Sequence, residues 1–219
     1  MARQTDGCEN FRTVDREVIL GVLASGRGSN LEAILEAIDQ GWLRARVGVV
    51  ISDQPEAYAL ARARQRDIPA ITVLPGGFPS RRLFDAQIRR ICEGHRIELV
   101  VLAGFMRVLG EEFINYYQGR IMNIHPSLLP AFPGRDAQRQ AFDYGVKVAG
   151  CTVHLVDTGI DTGPIILQAA VPVLEGDTPD TLAERILREE HRIYPEAISL
   201  YCQGRLQIEG RRVRIAAER

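Results

Sequence analysis

Apolar positions along this chain follow two rhythms that alternate with each other. Short, nearly unbroken apolar runs at Val18–Ala24, Arg46–Ser52, Ala70–Leu74, Glu98–Ala103 and Arg120–His125 suit strands buried on both faces of a parallel sheet. Between them, apolar residues recur at helical spacing. The first such stretch carries Leu31, Ile34, Leu35 and Ile38 on one face, and others cover Tyr58–Arg66, Ser80–Gly94 and Gly110–Tyr117. This alternation predicts an α/β fold, a doubly wound, mostly parallel Rossmann-like sheet with right-handed crossovers. Ligands in such folds lie beyond the carboxyl ends of the strands, here the stretches Ser25–Asn30, Gly104–Leu109 and Asn123–Pro126.

Beyond Pro133 the rhythm changes. A short helix at Ala137–Tyr144 precedes two strand runs, Val148–Val156 and Pro164–Val173, connected through Gly159 and Gly163 with no helix between them. That pattern predicts a mixed, antiparallel C-terminal edge to the sheet. A long helix follows from Thr178 to Gln203, and Gly204 and Gly210 bracket a weak terminal strand pair. The expected organisation is a flexible extension over residues 1–17, one domain over 18–208, and a solvated basic tail over 209–219.

Bulk composition narrows the function classes. With 46% hydrophobic and 25% charged residues over 219 positions, the chain has an ordinary soluble make-up and enough length for one full core. A net charge of −1 gives no electrostatic case for binding nucleic acid or an anionic membrane. The apolar run Leu99–Met106 is far too short to span a bilayer. Cys8, Cys92, Cys151 and Cys202 show no Cys-x-x-Cys spacing and no histidine cluster, so they are expected to be reduced thiols of a cytoplasmic protein without a metal site.

Candidate chemistry concentrates between Ile121 and Pro164. In an extended strand Asn123 and His125 project to the same side, and an amide beside an imidazole can receive a developing oxyanion. Pro126 stops the strand where the imidazole emerges. An isolated Asn-x-His would more often be a turn cap beside a structural histidine. Asp161 lies in a glycine-flanked loop, Thr158–Pro164. Upstream, Ser25-Gly-Arg-Gly-Ser-Asn feeds a helix whose start carries a capping-box signature, Ser29 with Glu32. Backbone N–H groups at such a terminus can hold a phosphate. Gly26-x-Gly28 with Asp53 at the end of the second strand also suits a truncated dinucleotide fingerprint, although Leu31 replaces the third glycine. A monophosphate cradle, a dinucleotide site and a structural turn all stay open from this loop alone.

Several ordered stretches together resemble the glycinamide ribonucleotide formyltransferase family of the folate-dependent formyltransferases, over residues 18–208: Ser25–Leu31, Leu102–Arg107, Asn123–Pro130, Gly150–His154, Asp161–Pro164 and Glu190–Pro195. The resemblance implies transfer of the formyl group of 10-formyltetrahydrofolate to the amine of glycinamide ribonucleotide, with no metal. Asn123, His125 and Asp161 would be catalytic, and Gly28, Ser29, Asn30 and Glu190 would hold the ribonucleotide. Arg81, Met106, Arg107, Val108, Leu109 and Asn123, with the loop Asp157, Thr158, Gly159, Ile160 and Asp161, would contact the folate. His154 is a possible accessory residue, whereas His95 and His191 are expected to be non-catalytic. Partners would be small molecules only, with no nucleic acid or membrane, and the assembly a monomer or homodimer. Gln138 stands where some family members carry a histidine. A formyltetrahydrofolate hydrolase would share the trio; a dinucleotide-binding oxidoreductase or sensor would rest on Gly26-x-Gly28 and Asp53.

Overall fold

The computed structural model describes residues 17–217; the expected extension at 1–17 lies almost wholly outside them. The elements run in order β1 (Val18–Leu23), α1 (Ser29–Asp39), β2 (Ala45–Ser52), α2 (Tyr58–Arg64), β3 (Ala70–Thr72), α3 (Arg81–Gly94), β4 (Leu99–Leu102), α4 (Glu111–Tyr116) and β5 (Ile121–His125), then α5 (Ala137–Tyr144), β6 (Val148–Leu155), β7 (Ile165–Pro172), α6 (Pro179–Cys202), β8 (Leu206–Glu209) and β9 (Arg212–Ile215). One sheet contains every strand among the described residues, in the order β3-β2-β1-β4-β5-β6-β7-β9-β8. Strands β3, β2, β1, β4 and β5 are mutually parallel, while β6 pairs antiparallel with β5 and β7. The predicted doubly wound sheet with an antiparallel C-terminal edge is therefore what forms.

Alternation along each strand divides the interior into two cores. Leu20, Val22 and Ala24 of the first strand region, with Leu99, Val101, Met122, Ile124, Cys151 and Val153, face α1, α2 and α6. Leu23, Val100, Leu102 and Ile121 face α3 and α4, meeting Phe84, Ile88, Cys92, Phe113 and Tyr117. Asn123 and His125 follow Ile121 with period two, so they continue this second face beyond the edge of its apolar core. Tyr194 of α6 is fully buried, and its hydroxyl lies 3.0 Å from the Leu102 carbonyl and 2.9 Å from the Met122 carbonyl, sharing its proton where β4 and β5 lead into the site.

Two expectations need correction. Helix α1 begins at Ser29 with Gly28 as N-cap and no side-chain cap; Glu32, expected to complete a capping box, instead accepts from Arg62 Nη1 at 2.6 Å and from Arg66. Two guanidiniums beside a half-buried carboxylate outcompete one backbone N–H. The tail expected over 209–219 contains β9, which pairs with β8 and, through Arg212, with Ile165 of β7. Gly210 at φ 59° makes the tight turn between β8 and β9 that brings the strand back onto the sheet.

Candidate active site

At the carboxyl end of β1 the chain turns through Ser25–Gly28 into α1. Gly28 has φ 70°, and a Cβ there would lie 2.8 Å from both Cα and Cβ of Ala59, so the turn needs glycine for conformation and for space. Its carbonyl accepts from Glu32 N at 3.0 Å; the N–H groups of Ser29, Asn30 and Leu31 therefore precede the helical ladder and are disposed to bind an anion. Asn30 is buried, its Nδ2 donates to Glu190 Oε2 at 2.8 Å, and its Oδ1 has no partner among the described residues. Burial raises the Glu190 carboxyl above its usual range, opposed by the Asn30 amide.

The same loop is tied to the segment after β4. Ser25 Oγ donates to Asp53 Oδ1 at 2.6 Å and accepts from Met106 N at 2.9 Å, while Arg107 Nε donates to Asp53 Oδ2 at 2.7 Å. Asp53 has only 2% of its side chain exposed. It is a buckle between two loops, committed to protein partners, and this removes the support it lent to the dinucleotide reading. Met106 and Val108 project outward with 60% and 55% exposure, whereas Leu109 is buried. Exposed Arg81 opens α3 near Gly110, whose N–H donates to buried Asp85 at 2.8 Å.

Antiparallel pairing of β5 with β6 sets Asn123 opposite His154 and His125 opposite Thr152, placing four polar side chains on one face. Asp161, at φ 53°, comes to them from the loop before β7. Its Oδ2 lies 3.4 Å from His125 Nδ1 and accepts from Gly134 N at 2.8 Å; its Oδ1 lies 3.7 Å from His154 Nε2. His125 Nε2 is 2.9 Å from the Phe132 carbonyl, an acceptor that requires a proton on that nitrogen. Nδ1, facing the carboxylate, is thus the position able to exchange a proton. Asn123 Nδ2 is 3.1 Å from His154 Nε2, and His154 Nδ1 is 2.8 Å from the Leu155 carbonyl. Burial holds the His154 imidazole below its usual range, against the pull of the Leu155 carbonyl and Asp161.

The structure thus brings Asn123, His125, His154 and Asp161 together and leaves His95 at the C-cap of α3. His191 lines a hollow of about 320 Å³ along α1 with Ser29, Glu36, Trp42 and Arg62. None of the four clustered residues borders that hollow. Gln138 lies on α5, half-buried. Sequence reasoning missed the support of the His125 loop: Thr152 Oγ1 donates to the Ser127 carbonyl at 2.6 Å and accepts from Leu129 N and Gln168 Nε2, each at 3.0 Å. The available signal was Thr152 standing two residues before His154, hence on its face.

Residues 19–198 match the formyl transferase family, and the phosphoribosylglycinamide formyltransferase of Escherichia coli is 43% identical over 187 residues, 85% of this chain and 88% of that protein. The chain belongs to this family. The corresponding enzyme of Bacillus subtilis is 46% identical over 81% of this chain and 91% of its own length. Glycinamide ribonucleotide transformylase 1 of Symbiobacterium toebii superposes with a TM-score of 0.91 at 55% identity, covering 96% of this chain and all of that one. The trifunctional purine biosynthetic protein adenosine-3 of Drosophila melanogaster is 46% identical over 84% of this chain, which spans about 14% of that larger protein. A formyltetrahydrofolate deformylase from Pseudomonas syringae shares the fold, with a TM-score of 0.86 at 24% identity. The sheet topology described above is thus that of solved glycinamide ribonucleotide transformylase structures.

Proposed function

We propose that the chain transfers the formyl group of 10-formyltetrahydrofolate to the amine of glycinamide ribonucleotide, a step of purine biosynthesis. One observation carries the reading: the Asn123, His125 and Asp161 cluster stands at the same carboxyl edge of the sheet as the Gly28–Asn30 turn that opens α1. A hydrolase acting on the folate alone has no use for the second feature. The nearby segments Met106–Leu109 and Asp157–Asp161, with Arg81, would contact the folate. Gly28, Ser29 and Asn30 would take the phosphate, and buried Glu190 would face the ribonucleotide.

In this mechanism the substrate amine attacks the formyl carbon, and the carbonyl oxygen gathers charge. An amide N–H of Asn123 would donate to that oxygen, with the His125 imidazole beside it. The proton lost by the amine would pass through the His125 and Asp161 pair to the folate nitrogen, which leaves with it as its bond to the formyl carbon breaks. These residues act within one domain over residues 18–208, as a monomer or homodimer. Cysteines without paired spacing suit the reducing cytoplasm. Among the described residues no helix is long and apolar enough to cross a membrane.

The test is formyl transfer with purified protein, together with thermal shifts by glycinamide ribonucleotide, a folate analogue and NAD. Ribonucleotide-dependent consumption of the folate, with shifts by the first two ligands, is expected. Folate hydrolysis at the same rate without ribonucleotide would establish the hydrolase instead.

A further inference from the structure

His154 touches neither reacting group in the proposed chemistry, yet it is buried with 2% exposure and engages through both ring nitrogens. Its Nδ1 lies 2.8 Å from the Leu155 carbonyl. A carbonyl can only accept, so Nδ1 carries a hydrogen. Desolvation within the strand pair disfavours a second proton, which leaves Nε2 as a bare lone pair. The group within hydrogen-bonding distance of that lone pair is the Asn123 amide at 3.1 Å; Asp161 Oδ1, at 3.7 Å, lies beyond it.

An asparagine side chain has little intrinsic preference between its two amide orientations, because the terminal torsion is broad and roughly two-fold. One orientation sets an N–H on His154. The other would set the Asn123 oxygen against a nitrogen lone pair, and the two acceptors would repel. From this geometry we infer that His154 is a positioning residue: as the neutral Nδ1–H tautomer it selects the orientation of the Asn123 carboxamide, so that an N–H faces the reacting oxygen. The inference rests on the formyl transfer reading for its kinetic consequence, but not for its structural content. It also explains why the two residues are directly opposed in the β5 and β6 register, where a short reach and a fixed strand spacing remove the freedom an exposed pair would have.

The test has a spectroscopic and a kinetic arm. In nitrogen-15 spectra of the wild-type protein near pH 7, His154 should give the pattern of a neutral ring protonated at Nδ1. A ring protonated at Nε2, or an imidazolium, would overturn the proposal whatever reaction the protein performs. Kinetically, His154→Phe keeps the bulk but removes the acceptor, and should lower kcat by up to about 100-fold, the lower end for losing one oxyanion donor, with both KM values within about 3-fold, as for an interaction made in the transition state. His154→Gln can replace the Nε2 acceptor with its amide oxygen and should recover most of the loss. Adding His154→Phe to Asn123→Ala should cost little further, because the group it orients is already gone. Losses that multiply, or a Gln variant no better than Phe, would refute the coupling. Absence of formyl transfer in the wild-type protein would instead refute the proposed function while leaving the spectroscopic result standing.

Discussion

Gly28→Ala probes the phosphate turn with the smallest possible change. The added methyl would sit 2.8 Å from Ala59 Cα and Cβ, a contact that backbone atoms on the far side cannot relieve by rotating a side chain. At φ 70° an L-residue also carries a conformational cost of roughly 1–2 kcal/mol, and overpacking adds about 1–3 kcal/mol. The turn is anchored on both sides, by Ala59 N to the Gly26 carbonyl at 3.1 Å and Arg62 Nε to the Arg27 carbonyl at 3.0 Å. Relaxation therefore has to push Gly28 outward and carry the N–H groups of Ser29 and Asn30 with it. If about 2 kcal/mol appears as lost phosphate binding, KM for glycinamide ribonucleotide rises roughly 30-fold. The remainder lowers Tm, by about 2–4 °C for each kcal/mol in a chain of this size. Initial rates with each substrate varied in turn, beside a thermal melt, measure both. A ribonucleotide KM that does not move, or an equal rise in the KM for folate, would mean that the turn is structural and does not hold phosphate.

Four further outcomes are expected. Asp161→Asn and His125→Ala should each lower kcat by about 10²- to 10⁴-fold, and the double variant should be little worse than His125→Ala; simple multiplication of the two losses would show that Asp161 does not act through His125. Glu32 is drawn below its ordinary 4.5, burial pushing it up but Arg66 and Arg62 together outweighing that. Its contribution is present above the unfolded value and is lost as pH falls through the folded one, so the Tm gap between wild type and Glu32→Gln should be constant at neutral pH and close below pH 4.5. Thr152→Val removes a buried hydroxyl with three protein partners and should cost about 1–3 kcal/mol, read by urea unfolding; a loss below about 0.5 kcal/mol would mean the loop is held elsewhere. Cys92 and Cys151 are fully buried, and burial pushes both thiols up to about 12; an aromatic disulfide reagent should leave both unmodified in native protein and label both in denaturant.

Period and punctuation in the sequence determined the sheet and the edge that would carry the site. Runs such as Val18–Leu23 and Leu99–Leu102 are apolar on both faces, which commits them to the interior of a layered fold, and Pro126 ends β5 beside His125. Asn123 and His125 share a face because strand geometry is local. What lies opposite them is not local: β6 is reached after a loop and a helix, and only antiparallel register sets His154 against Asn123 and Thr152 against His125. The capping-box signature at Ser29 was equally legible, and it misled because Arg62 and Arg66 of the α2 region approach Glu32 across the fold. Asp53 suited a ribose-binding acid until Ser25 and Arg107 closed on it from two other loops. In each case the chain specifies a side chain and its local direction, but a hydrogen bond is decided by the nearest competing partner, and that partner arrives through packing of residues tens of positions away.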